Sequence, residues 1–107
     1  MIIHVVTFQW TADTTDSAVA ALSDALDRLA TTIPELRGYR HGPDLGLRDG
    51  NADYAVVAVL DQPEDLKAYL DHPEHLRIVG AFVSPILRGR QAVQFTVGDV
   101  ADVRLSS

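Results

Sequence analysis

The sequence predicts an α+β fold, with a four-stranded sheet and helices on one face. Two observations carry this. Strand-like stretches with period-two or β-branched character recur at the start, the middle and the end of the chain. Between them lie segments whose apolar residues recur at spacings of three and four, the mark of a helix packed on one side.

Ile2 to Trp10 alternates, with Ile2, His4, Val6, Phe8 and Trp10 on one face and Ile3, Val5, Thr7 and Gln9 on the other. Thr11 to Thr15 is a turn able to cap a helix, and Asp13 and Asp16 suit the positive end of its dipole. Val19, Leu22, Leu26, Leu29 and Ile33 then form one apolar stripe, which Pro34 ends. A short second strand is expected over Arg37 to His41, with His41 exposed. The Gly42-Pro43-Asp44 and Arg48-Asp49-Gly50-Asn51 stretches read as turn and loop.

Asp53 to Leu60 is a strand apolar on both faces. Asp61-Gln62-Pro63-Glu64 reads as a helix start, with Asp61 as the cap. Leu66, Tyr69 and Leu70 are its expected buried face. His72-Pro73 breaks the helix, and a second segment follows with Leu76, Val79, Phe82 and Val83 as its stripe and His75 at the stripe's edge. Gln91 to Val97 is the last strand, and the polar tail from Gly98 is expected to fray or to cover an edge.

The order β-α-β-β-α-β is the ferredoxin-like pattern, in one domain over residues 1–107. Helices cover one face of such a sheet. The other face, with Ala55, Val57 and Val59, is costly to leave in water. A second copy of the chain is the simplest cover, so a homodimer is expected.

Composition excludes several functions. Nine Lys plus Arg stand against 15 Asp plus Glu, a net charge of −6, which argues against nucleic acid and anionic membranes as partners. No cysteine is present, so thiol nucleophiles, disulfides and thiolate metal sites are excluded. No apolar run nears the ~20 residues that span a bilayer. Met1-Ile2-Ile3-His4 offers no basic leader, so the expected location is the cytoplasm. The sequence lacks a phosphate loop, a dinucleotide fingerprint and a serine elbow. Pro73 between His72 and His75 works against a three-histidine metal site with His4, so neither metal nor cofactor is expected.

Imidazoles and phenols remain as the candidate chemistry. His4 lies in an apolar strand, His72 and His75 flank a proline, and Tyr69 precedes His72 by three residues. Imidazole exchanges protons near neutral pH without a cofactor. The bland readings are a hydrogen-bonded core His4, a His72 that orders the break, and a Tyr69 that fills the core.

The opening His4-Val5-Val6-Thr7-Phe8-Gln9-Trp10, the helix ending Ile33-Pro34 and the element Tyr69-x-x-His72-Pro73-x-His75 resemble the stress-responsive dimeric α/β-barrel (Dabb) family. The resemblance runs from His4 to about Phe95. It implies a dimeric α/β barrel, and it is similar to the olivetolic acid cyclase-type polyketide cyclases of that family. Carried over residue by residue, it implies that His75 is the general base, with Tyr69 and His4 beside it. The implied ligand is a small molecule such as a β-polyketide, in a pocket walled by Val6, Phe8, Val56, His72, Val79 and Phe82. A further pocket histidine of those cyclases falls on Val56. That departure leaves open a non-catalytic ligand-binding module and a stress-response dimer beside the cofactor-free cyclase or isomerase.

Overall fold

A computed structural model describes residues 1–98 of the chain; the expected behaviour of the tail beyond Gly98 lies outside the described residues. Four strands and three α-helices follow in order: β1 (Ile2–Trp10), α1 (Asp16–Ala30), β2 (Gly38–Pro43), β3 (Tyr54–Leu60), α2 (Pro63–Leu70), α3 (Pro73–Ile78) and β4 (Leu87–Thr96). All pairings are antiparallel and the spatial order is β2-β3-β1-β4. This is the ferredoxin-like α+β fold.

Register fixes which side chains share a face. Facing residues on neighbouring strands point the same way. His4 pairs with Ala58 on β3 and with Gln94 on β4, and Phe8 pairs with Tyr54 and Arg90. The helix-covered face therefore holds His4, Val6, Phe8, Tyr54, Val56, Ala58, Arg90 and Gln94. The opposite face holds Ile3, Val5, Val57, Val59, Val93 and Phe95.

α1 starts as its sequence directs: the Thr15 hydroxyl accepts from the Ala18 amide, and Asp16 sits in the first turn. It buries Leu22, Ala25, Leu26 and Leu29 on the sheet. It ends at Ala30, short of Pro34. The Thr31 and Thr32 hydroxyls both donate to the Arg28 carbonyl and close the last turn early. Ile33 is still buried, from the loop.

Other boundaries shift for similar local reasons. β2 runs on to Pro43, and β4 begins at Leu87, four residues before Gln91. Gln62, not Asp61, caps α2, and its side chain makes no capping bond. Asp61 instead takes the Arg37 guanidinium at 2.8 Å. The expected stripe after His72 is only partly right. Leu76 is exposed, and Ile78 is the buried residue of α3. A π-helical turn then spans Val79–Val83 and a 3₁₀ turn Ser84–Ile86. The wider turn breaks the 3.6-residue period, so Val83 is buried while Phe82 is only half-buried. No helix among the described residues is long and apolar enough to cross a membrane.

Candidate active site

His4 stands on β1 between two apolar neighbours of the covered face and is 2% exposed. Gln94, its partner on β4, brings its amide Nε2 to 2.8 Å from His4 Nδ1. An amide nitrogen only donates. His4 Nδ1 is thus assigned as acceptor, and its proton sits on Nε2. Burial lowers its pKa below the ordinary histidine value, and the nearby charges of Arg90 and His75 add to this.

His75 reaches the same space from α3. That helix begins where it does because His72 is its N-cap, its Nδ1 accepting from the Glu74 amide at 3.1 Å, and Pro73 is its first residue. One turn on, His75 Nδ1 lies 3.0 Å from the Leu70 carbonyl, which caps the end of α2. A carbonyl only accepts, so here Nδ1 carries the proton and Nε2 keeps its lone pair. Burial again is the main cause of a lowered pKa. The Leu70 carbonyl and Asp71 oppose it, while His72 and Arg90 add to it.

Tyr69 lies between the two imidazoles. Its ring centroid is 4.6 Å from that of His75 and 6.2 Å from that of His4. Its hydroxyl is held by Tyr39 of β2 at 2.7 Å, not by His75. Burial raises the pKa of both phenols, so both stay protonated. Either hydroxyl can donate in this bond.

His4, Tyr69 and His75 line one cavity of about 310 Å³ between helices and sheet. Val6, Phe8, Val56 and Val79 are in its wall, with Leu26, Tyr39, Leu70, Ile78, Val83, Leu87 and Arg90. Neither nitrogen Nε2 has a hydrogen-bond partner among the described residues. Two expected wall residues are elsewhere. His72 turns its ring to cap α3 and borders a shallow hollow with Glu64 and Lys67. Phe82 is rotated out of the wall by the π turn, and Val83 takes its place. Tyr39, Gln94 and Arg90 were missed from sequence. Arg90 and Gln94 share the parity of Ala92 in the last strand, but only the β1–β4 register places them beside His4.

A second histidine–tyrosine cluster lies on the same sheet face. His41, expected to be exposed, has a side chain only 8% exposed. Its Nε2 donates to Asp27 of α1 at 2.7 Å, and its Nδ1 lies 2.7 Å from the Tyr54 hydroxyl. Tyr54 in turn meets Ser23 at 2.8 Å. Here both ring nitrogens are used.

Fold and site together define a ferredoxin-like α+β protein whose covered sheet face holds an apolar cavity with two imidazoles. The chain belongs to the stress responsive A/B barrel domain family, whose pattern matches residues 2–97. Among solved structures it is similar to a dimeric ferredoxin-like protein of unknown function from Thermobifida fusca, at 43% identity, TM-score 0.84 and 90% coverage of each chain. A dimeric ferredoxin-like protein of unknown function from Jannaschia sp. CCS1 is 25% identical, with TM-score 0.74 and coverage of 90% of this chain and 98% of that one. A hydroxynitrile lyase from Passiflora edulis shares the fold at 16% identity, with TM-score 0.77 and coverage of 92% and 94%. No curated protein matches the chain.

Proposed function

We propose that this protein is a cofactor-free catalyst of proton transfer at carbon, a cyclase or isomerase of β-dicarbonyl, polyketide-like compounds. One observation carries the reading: a buried imidazole, His4, and a half-buried one, His75, of opposite tautomer line one apolar cavity. His75 offers a lone pair and His4 a proton. The lowered pKa of each keeps the ring neutral at physiological pH, which both roles need.

In the cyclase form, His75 Nε2 takes the proton from the carbon between two carbonyls. The C–H electron pair becomes the enolate. That carbon attacks a remote ketone of the same chain and forms the ring C–C bond, and the ketone oxygen becomes an alkoxide. His4 Nε2–H donates a hydrogen bond to the developing oxyanion, and Tyr69 is placed to do the same. The imidazolium of His75 returns its proton to the alkoxide, which restores the catalyst. His4 gives up no proton in this scheme, because its Nδ1 is bound to an amide donor.

The test is turnover of a linear tri- or tetraketide, supplied as free acid and as thioester, with product mass and retention time as readout. His75→Gln keeps a polar side chain of similar reach but has no comparable base. A loss on the order of a hundredfold is expected, the usual scale of a general base. Equal rates for the two proteins end the catalytic reading. A ligand-binding module without turnover is the second reading, and apolar Val56 in the cavity wall favours it. Ligand binding unaffected by His75→Gln, with no turnover by either protein, establishes that reading instead.

We infer further that the protein works as a cytoplasmic homodimer. The uncovered sheet face carries Ile3, Val5, Val57 and Val59, and its edge exposes Val93 by 55% and Phe95 by 48%. A second copy packed on this face removes that apolar surface from water. The relatives from Thermobifida fusca and Jannaschia, both described as dimeric, support this. Val57→Asp would bury an unpaired charge at the contact, so monomer or insoluble protein is expected by light scattering. An unchanged dimer rules the arrangement out.

A further inference from the structure

The charge around the cavity is opposite to that of the whole chain. The protein carries 15 acidic residues and a net charge of −6, yet no carboxylate lines the cavity and one guanidinium, Arg90, does. Arg90 sits across from Phe8 on β4, so it faces the same side as His4. It makes no ion pair among the described residues, which is equally true of Arg28, Arg40, Arg48 and Arg88; its place in the cavity wall is what singles it out.

Position makes this cation a feature of the cavity's mouth. On β1 and β3 the residues of the covered face are buried; on β4 the matching residues Arg90, Ala92 and Gln94 are exposed. The helices therefore stop short of β4, and the cavity opens along that edge strand. Anything entering there passes the guanidinium. Beyond it the wall is apolar, with Phe8, Leu26, Ile78 and Val83.

We propose that the ligand of this cavity is a free carboxylate with an apolar chain, held by its carboxylate on Arg90 at the mouth. The proposal rests on the catalytic cavity described above and narrows its substrate class to a β-keto acid rather than its neutral ester or its carrier-bound thioester. Arg90 anchors one end of the ligand. The apolar wall takes the chain, and the carbon to be deprotonated lies between them, within reach of His75 and His4. A planar guanidinium matches a carboxylate with two parallel hydrogen bonds, and an amine meets only repulsion there. The same cation favours negative charge on an enolate formed nearby.

Eight-carbon probes that differ only in the head group separate the possibilities by titration calorimetry. Octanoate is expected to bind about tenfold more tightly than 1-octanol, and octylamine more weakly than either, as for a charge-assisted bond at a partly exposed site. The preference should shrink with added salt. Arg90→Met should abolish the preference for octanoate and leave octanol binding unchanged. Arg90→Lys should restore part of it.

Equal binding of octanoate and octanol, a preference that survives Arg90→Met, or no binding of any probe overturns the proposal. So does octanoyl-coenzyme A that binds more tightly than octanoate and depends on Arg90, because the anion recognised is then a carrier phosphate. Failure of the catalytic reading looks different. In that case His75→Gln leaves turnover intact while octanoate selection by Arg90 persists.

Discussion

Two histidine–tyrosine clusters share one face of the sheet, and they differ in how fully their polar atoms are used. In the first, His41 is bonded at both ring nitrogens, by Asp27 and Tyr54, and Tyr54 is bonded onward to Ser23. Nothing is left to act on a ligand, and the chain of bonds ties α1 to β2 and β3. In the second, His4 and His75 each use one nitrogen, on Gln94 and Leu70, and both residues line one cavity. The free nitrogens of these two rings are of opposite character, one a donor and one an acceptor. By hydrogen-bond accounting His41 is structural, and the function proposed above falls on His4 and His75.

The comparison breaks most clearly at the two histidines themselves. His75→Gln is expected to reduce turnover about a hundredfold, equivalent to ~2.7 kcal/mol of barrier, with little change in melting temperature. His41→Ala should do the reverse. It leaves Tyr54 without its acceptor, so a stability loss of about 1–2 kcal/mol is expected in denaturant titration, with unchanged turnover per folded molecule. If His41→Ala abolishes turnover in folded protein, the two clusters are not functionally distinct.

Smaller effects sharpen the second cluster. Tyr69→Phe keeps the buried ring and loses one hydrogen-bond donor, so about a tenfold loss in rate is expected, less than for His75→Gln. Gln94→Leu removes the donor that fixes the His4 tautomer. Nitrogen-15 NMR should then show His4 as a mixture of tautomers, with a loss of a few fold in rate. A His4 that stays in one form in that variant means something else orients it.

The pH dependence has a definite sign. Both His4 and His75 have lowered pKa values, chiefly through burial. The acid limb of the rate profile should therefore fall below the ordinary histidine value of about 6.5. Arg90→Met removes a charge that lowers both, so the limb should move up in that variant. Stability follows the same logic. The unfolded chain binds protons at about pH 6.5 that the folded protein refuses until lower pH. Stability is therefore fully present above that value and is lost as pH falls toward the folded pKa values. An acid limb above 6.5 for wild-type protein contradicts burial of the neutral rings.

Much of this protein was determined by sequence alone, and the reason is periodicity. The alternation from Ile2 to Trp10 put His4 on the covered face. The run from Tyr54 to Leu60 made the centre of a sheet apolar on both sides, the Thr11 to Thr15 turn and Pro63 marked helix starts, and His72-Pro73 marked a helix break. Such signals are local, because a strand or helix repeats its own geometry over a few residues. His4, Tyr69 and His75 became one candidate set through the family resemblance of the Tyr69-x-x-His72-Pro73-x-His75 element, with periodicity placing His4 on the covered face.

Tertiary structure decided everything that depends on which atom meets which across the fold. The π turn at Val79–Val83 displaced Phe82 in favour of Val83, and a helical stripe read at constant period has no means of showing that. His72 became a helix cap because its ring turned back to the Glu74 amide. His41 left the surface because Asp27 and Tyr54, fourteen and thirteen residues away, close on both its nitrogens. Gln94, 90 residues from His4, fixes that ring's proton through strand register. The bonds of His41 and His4 join segments far apart in the chain and leave no pattern in the local sequence, whereas the His72 cap and the π turn are local geometries that a constant helical period does not distinguish.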